Sequence, residues 1–205
     1  MEIDIKKLIE SLNLKSDINV SDIPNMNLYM EQLTDFIQEN LKDLKRNEDD
    51  KILTRTMINS YTKDGLLMPP ENKKKYNKQH IILLILIYHL KQILSINDIR
   101  ALLKPILNDM TTNEDDVIPI EDIYSVFLEM KNIETDNYCD LCNDKIKSIE
   151  EKISSIDDSK NKDIAKLFLT VITLIAQADA NKRLAEKIID DYFTENKISN
   201  SQKSN

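Results

Sequence analysis

An all-α protein is predicted by three features of this 205-residue chain. It holds one glycine and five prolines, which leaves little room for the many turns of a β fold. Glu, Lys, Leu and Ile dominate its composition. Apolar residues recur at helical spacing along most of it, and their 41% share is enough for a real core.

Met1 to Lys15 reads as a short amphipathic helix, with Ile3, Ile5, Leu8, Ile9 and Leu12 apolar. Ser16 to Asn25, with Pro24 inside it, reads as a linker. Asn27 to Leu44 is expected as one helix, its stripe formed by Tyr29, Met30, Leu33, Phe36, Ile37, Leu41 and Leu44. Asn47-Glu48-Asp49-Asp50 is an acidic turn suited to the start of a following helix. That helix runs from about Thr54 to Lys63, with Met57, Ile58 and Tyr61 on one face. Gly65 is expected to close it at C′, where the backbone turns left-handed and a Cβ is penalised. Met68-Pro69-Pro70 stops any continuation, and Glu71 to Lys78 is a polar, basic loop.

Asn77 is the expected N-cap of a helix reaching Leu94, apolar on nearly every side and therefore buried on several faces. His80 reads as a cap-region polar residue and His89 as partly buried. Ser95 caps a short helix from Ile96 to Leu103, which Pro105 ends or kinks. The polar stretch Asn108 to Asp116 is the candidate boundary. Beyond it three helices are expected: Pro119 to Lys131, Tyr138 to Ile156, and Lys162 to Phe193. Asn196 to Asn205 reads as a disordered tail.

The order of helix, glycine turn, proline-set basic loop, buried helix and short helix resembles the winged helix-turn-helix of the MerR family of transcription regulators. That family has a T-I-R-Y-Y-E recognition helix and a G-L-L-P-P-P wing. Ile58, Tyr61, Gly65, Leu66, Leu67, Pro69, Pro70, Lys74, Tyr76 and Asn77 fall on its pattern, and Ser95 to Ile99 (SINDI) on the S-x-x-E-I opening of its last helix. Asn59 and Ser60 depart from it, standing where the family has Arg-Tyr. The chain is more similar still to a family of low-GC Gram-positive bacteria filed as domain of unknown function 1836. Leu28-Tyr29-Met30-Glu31-Gln32, Thr56 to Tyr61, Lys63, Gly65, Lys74-Lys75-Tyr76, His80 and LKQILSINDI carry that similarity, over roughly Ile23 to Pro105.

Four regions are expected: an N-terminal helix and linker (1–22), a MerR-like winged helix-turn-helix that the resemblance implies (23–107), a C-terminal helical dimerisation or regulatory region (117–195) and a tail (196–205). The resemblance also implies a transcription regulator that binds double-stranded DNA. Arg55, Thr56, Asn59, Ser60 and Lys63 would then reach bases or phosphates from the recognition helix, and Lys73, Lys74, Lys75 and Tyr76 would lie on the backbone as the wing. Tyr61 either is buried or gives its hydroxyl to a phosphate, and the contact is the expectation. The net charge of −8 argues against nucleic acid on its own, but its distribution does not. From Lys51 to His80, Lys51, Arg55, Lys63, Lys73, Lys74, Lys75 and Lys78 face only Asp64 and Glu71. The alternative function is a non-catalytic protein–protein interaction module whose winged helix does not touch DNA.

Enzyme chemistry finds no signature. One glycine excludes a P-loop and a Rossmann fingerprint, and neither His lies near a candidate nucleophile, so no catalytic residues, cofactor or metal are expected. Cys139 and Cys142 share a helical face but lack the other two ligands of a closed zinc site. They read as small apolar residues, although two such pairs meeting across a dimer could close one. No signal peptide is expected from a start carrying Glu2 and Asp4, and Ile81 to Tyr88 is too short to span a bilayer. A cytoplasmic protein with no membrane partner follows. A homodimer is expected through Lys162 to Phe193, which must bury Leu167, Phe168, Val171, Leu174, Ile175 and Ala178. In the alternative, Ile123, Phe127 and Met130 cover that stripe within one chain. No ligand motif identifies an effector.

Overall fold

The computed structural model describes residues 5–109, 119–154 and 159–194. Among them are seven α-helices and one two-stranded sheet, so the protein is all-α in class. The chain forms two compact units, Ser16–Glu129 with Ala185–Asn205, and Met1–Lys15 with Met130–Leu184. Residues 117–195 thus contribute to both.

The first unit is built around α4 (Lys78–Leu90), in which every residue from His80 to Tyr88 is buried. A helix apolar on all sides has no solvent face, so its neighbours must wrap it. Asn77 is its N-cap, its side chain accepting from the backbone N–H of His80 at 3.1 Å. Around it lie α2 (Met30–Asn40), α3 (Arg55–Lys63), α5 (Ile96–Asp109) and the start of α6 (Ile120–Ile153). The linker before α2 is part of this core: Ile18 and Ile23 are buried, and the Tyr124 hydroxyl donates to the Ile18 carbonyl at 2.7 Å. Burial pushes the Tyr124 phenol well above its ordinary range.

Four sequence expectations need correction. The helix expected from Asn27 to Leu44 is split into strand β1 (Leu28–Tyr29), α2 and a 3₁₀ turn at Lys42–Leu44. Leu28 and Tyr29 instead pair with strand β2 (Lys75–Tyr76), in the register Leu28 with Tyr76 and Tyr29 with Lys75. The helix after Leu90 stops four residues before the expected Leu94, in a turn where the Leu94 N–H donates to the Leu90 carbonyl. Pro105 does not end α5, which continues to Asp109. The proline forfeits one backbone hydrogen bond, but Ile106 and Leu107 after it pack against the core and hold the last turn. Finally, the two helices expected from Pro119 to Ile156 are one continuous α6. Its polar middle contains neither Gly nor Pro, and Thr135 and Asn137 bond back to the carbonyls of Lys131 and Ile133.

The second unit comprises α1 (Ile5–Ser11), most of α6 and most of α7 (Ser159–Tyr192). Cys142, Ile146, Ile149 and Ile153 are its buried residues on α6. Lys15 pairs with Asp136, and Lys166 of α7 with Glu150 of α6. The expected boundary from 110 onward and the expected tail lie outside the described residues. Among the described residues no helix is long and apolar enough to cross a membrane.

Candidate nucleic-acid interface

Helix α3 begins at the N-cap Thr54, whose side chain accepts from the Met57 N–H at 3.3 Å. It ends in a Schellman motif: Leu66 N–H donates to the Tyr61 carbonyl at 2.8 Å and Gly65 N–H to the Thr62 carbonyl at 3.2 Å. Gly65 has φ +71°, the left-handed value that the motif requires at C′. Arg100 of α5 donates to the Asp64 carbonyl at 3.0 Å, bringing a cation to the negative end of α3. Leu66 and Leu67 then enter the core.

The segment after Pro70 turns back on itself. Glu71 and Lys75 exchange both backbone hydrogen bonds, at 2.7 and 3.0 Å. Between them Asn72 and Lys73 have φ of 48° and 63°, positive values of the kind a type I′ turn uses. The hairpin is fastened at its base, where the Glu71 carboxylate accepts from the Asn27 amide at 2.6 Å and the Asn77 amide at 2.7 Å. Lys75 crosses to β1, its ammonium 5.5 Å from the ring centre of Tyr29.

Between α3, the hairpin and the start of α2 lies an open groove of about 700 Å³. One wall is the α3 face of Arg55, Asn59, Thr62 and Lys63, residues three or four apart and so on one side of the helix. The opposite wall carries Lys73 and Lys74, and Tyr29, Met30 and Glu31 close one end. Four cationic side chains thus line the groove against one carboxylate, Glu31, which binds Arg55 at 3.1 Å. Both partners of that pair are well exposed, so it is weak and can be exchanged for another anion.

The sequence-expected residues fall into three groups. Arg55, Asn59, Lys63, Lys73 and Lys74 are exposed and line the groove together. Thr56 and Ser60 are exposed on α3 but do not line it, and the Ser60 hydroxyl donates to the Asp64 carboxylate at 3.0 Å. Tyr61 and Tyr76 are buried, at 6% and 3% exposure, and Lys75 is half-buried over Tyr29. Tyr61 follows Ile58 by three residues and shares its inward face, the buried one of the two alternatives that the sequence left open. Burial raises both phenols above their ordinary range; for Tyr76 the nearby Arg55 opposes the rise. Tyr76 borders the groove from below and packs edge-on against His80. Tyr29, Met30, Thr62 and Pro70 also line the groove and were not expected to. Thr62 was legible, because it is three residues after Asn59 and one before Lys63. Tyr29 and Met30 were hidden by their place on the apolar stripe of the helix expected from Asn27 to Leu44.

His89 binds Asp17 at 2.8 Å and packs on Phe127. Cys142 is buried and Cys139 half-buried. Among the described residues, no three His, Cys, Asp or Glu side chains are grouped so as to hold a metal ion.

A helical domain that fastens a basic β-hairpin beside an exposed helix is the class these features define. The chain belongs to the family described as Domain of unknown function (DUF1836), whose match covers residues 18–127. The match is longer than the stretch from Ile23 to Pro105 that carries the similarity in sequence, and its limits have a physical counterpart. Ile18 is buried at its start and Tyr124 near its end, joined by the hydrogen bond between them. No curated protein and no solved structure matches the chain.

Proposed function

We propose that this protein is a DNA-binding transcription regulator of the cytoplasm, acting through a MerR-like winged helix-turn-helix as a homodimer. In this reading α2 and α3 are the helix pair, α3 enters the major groove, and the hairpin from Glu71 to Lys75 is the wing. The observation that carries it is the single groove in which Arg55, Asn59 and Lys63 of α3 face Lys73 and Lys74 of the hairpin. A recognition helix and a basic wing converging on one concave surface are suited to a phosphate backbone flanking a base edge. Asn59 is the groove residue able to pair bidentately with adenine, and the four cations supply the sequence-independent attraction.

Support for a second copy comes from α7. Ile164, Phe168, Val171 and Ile175 follow a four-three-four spacing and are 68%, 64%, 56% and 64% exposed. That spacing is the seam of a helix packing on a like helix, and such a stripe is unfavourable left in water.

One observation favours the alternative, a protein-interaction module. Glu31 lines the groove and would repel a phosphate unless Arg55 remains between them. Selection from a random duplex DNA pool by mobility shift decides. A recovered motif with steep salt dependence supports the regulator, and the absence of any salt-dependent retention at low ionic strength rejects it.

A further inference from the structure

The second unit contains a cleft that the DNA-binding reading does not use. It lies among α1, α6 and α7, with a volume of about 150 Å³. Its floor is Cys142, Ile146 and Ile149, all buried on α6. Leu8 and Leu12 flank its mouth and remain 53% and 54% exposed. Of its polar groups, the Thr170 hydroxyl already donates to the Lys166 carbonyl at 2.8 Å. One charged residue lines it, the half-buried Lys145, whose ammonium donates to the Gln177 side chain of α7. No carboxylate does.

We propose that this cleft binds a small alkyl or aryl carboxylate, its hydrocarbon end between Leu8 and Ile146 and its carboxylate on Lys145. Size selects the hydrocarbon end, since an apolar cavity of roughly 150 Å³ accommodates a benzene-sized group. Leu8 and Leu12 supply the driving force, because an occupant between them and the α6 floor removes their apolar surface from water. Charge selects the head group. An otherwise neutral lining with one ammonium discriminates for an anion, and the exchange of Gln177 for a carboxylate replaces a neutral acceptor with an ionised one. A single anionic end on a short apolar body satisfies all three features. A dianion would leave one charge against leucine and isoleucine.

The test uses the full chain with sodium hexanoate and hexan-1-ol as separate probes, titrated by NMR. Both probes are expected to bind saturably, hexanoate about tenfold more tightly through the charge-assisted bond. Lys145→Met should remove that preference and leave hexan-1-ol binding unchanged. Ile146→Phe should fill the floor and lose both probes. Should that variant not fold, Leu8→Asp, at an exposed position, decides in its place by weakening hexanoate more than hexan-1-ol. Failure of either probe to saturate the wild-type chain overturns the proposal. So does equal affinity for the two probes, or a preference for hexanoate that survives Lys145→Met.

Discussion

The imidazole Nε2 of His80 lies 3.1 Å from the carbonyl oxygen of Pro69, tying the first turn of the central helix to the base of the basic hairpin. Its Nδ1 lies 3.2 Å from the Asn77 backbone nitrogen and 2.6 Å from the Asn77 Oδ1, so the ring is held at both nitrogens. Asn77 in turn binds Glu71, which binds Asn27. One polar chain therefore connects the N-cap of α4, both ends of the hairpin and the residue before β1. The lysines of the hairpin tip stand on a rigid base although the tip itself is exposed.

This chain predicts a pH dependence. Burial holds the His80 imidazole below its ordinary 6.5, while the Pro69 carbonyl and Glu71 oppose the shift. The folded protein thus binds the proton less readily than the unfolded chain. The stability that His80 contributes is whole above pH 6.5 and declines as the pH falls below it, until the folded ring is itself protonated. His80→Gln should flatten that decline in urea unfolding midpoints measured across the range. An identical pH profile for the variant and the wild type would contradict the assignment.

Gly65 makes a cleaner stability test. A Cβ built at this position meets nothing within 4 Å, so a substitution is opposed by the backbone alone. Gly65→Ala should cost about 1–2 kcal/mol, the usual penalty of a left-handed L-residue. Gly65→Val should cost more, because a β-branched side chain fits that conformation worse. Gly65→Asn should cost less than either, since Asn tolerates it. Urea midpoints rank the three, and a wild-type midpoint for Gly65→Val would rule out the positive φ.

The same glycine explains why so much of the first unit was legible. A lone glycine after an amphipathic run has few uses, and the closing motif it makes here is one of them. The apolar run of α4 could only be a buried helix, and Asn77 could only be its cap. Where the sequence misled, a local signal was outweighed by a tertiary one. Tyr29 sits on the helical stripe of α2, yet pairing with Lys75 draws it into β1. Pro105 reads as a stop or a kink, yet packing beyond it sustains the helix to Asp109. Of the candidate interface, the charged and amide residues were found by type and spacing. Type and spacing do not place Tyr61 and Tyr76, both buried here, because a tyrosine in such a pattern serves equally as core or contact.

The wing lysines are predicted to act unequally. Lys73 and Lys74 project into the groove, whereas Lys75 is half-buried over Tyr29. Lys73→Ala with Lys74→Ala should weaken DNA binding for all sequences and lower the salt slope by about two, one for each phosphate left without its lysine. Lys75→Ala should lower thermal stability with a smaller effect on the slope. Asn59→Ala should alter sequence preference, by about 1–3 kcal/mol at one base position. Mobility shifts at several salt concentrations read all three, and an unchanged slope in the double variant would remove the hairpin from the DNA face.

The apolar stripe of α7 gives the last prediction. Ile123 and Phe127 pack against the core of the first unit, and Met130 is itself 51% exposed. Phe168, Val171, Ile172 and Ile175 remain in contact with water, within two turns of one helix. Each such side chain offers about 1.5–3 kcal/mol on full burial. Two copies aligned along α7 would bury eight of them, ample against the entropic cost of association. At micromolar concentration the wild-type chain should therefore sediment at twice its 23.9 kDa monomer mass. Phe168→Asp with Ile175→Asp should return it to the monomer mass with helix content unchanged, because neither side chain is in a core. The DNA-binding reading adds a second consequence: the dissociated variant should lose affinity for a two-fold symmetric site and keep its affinity for a half-site. A wild-type chain that sediments as a monomer would leave the α7 stripe without the second copy that its spacing suggests.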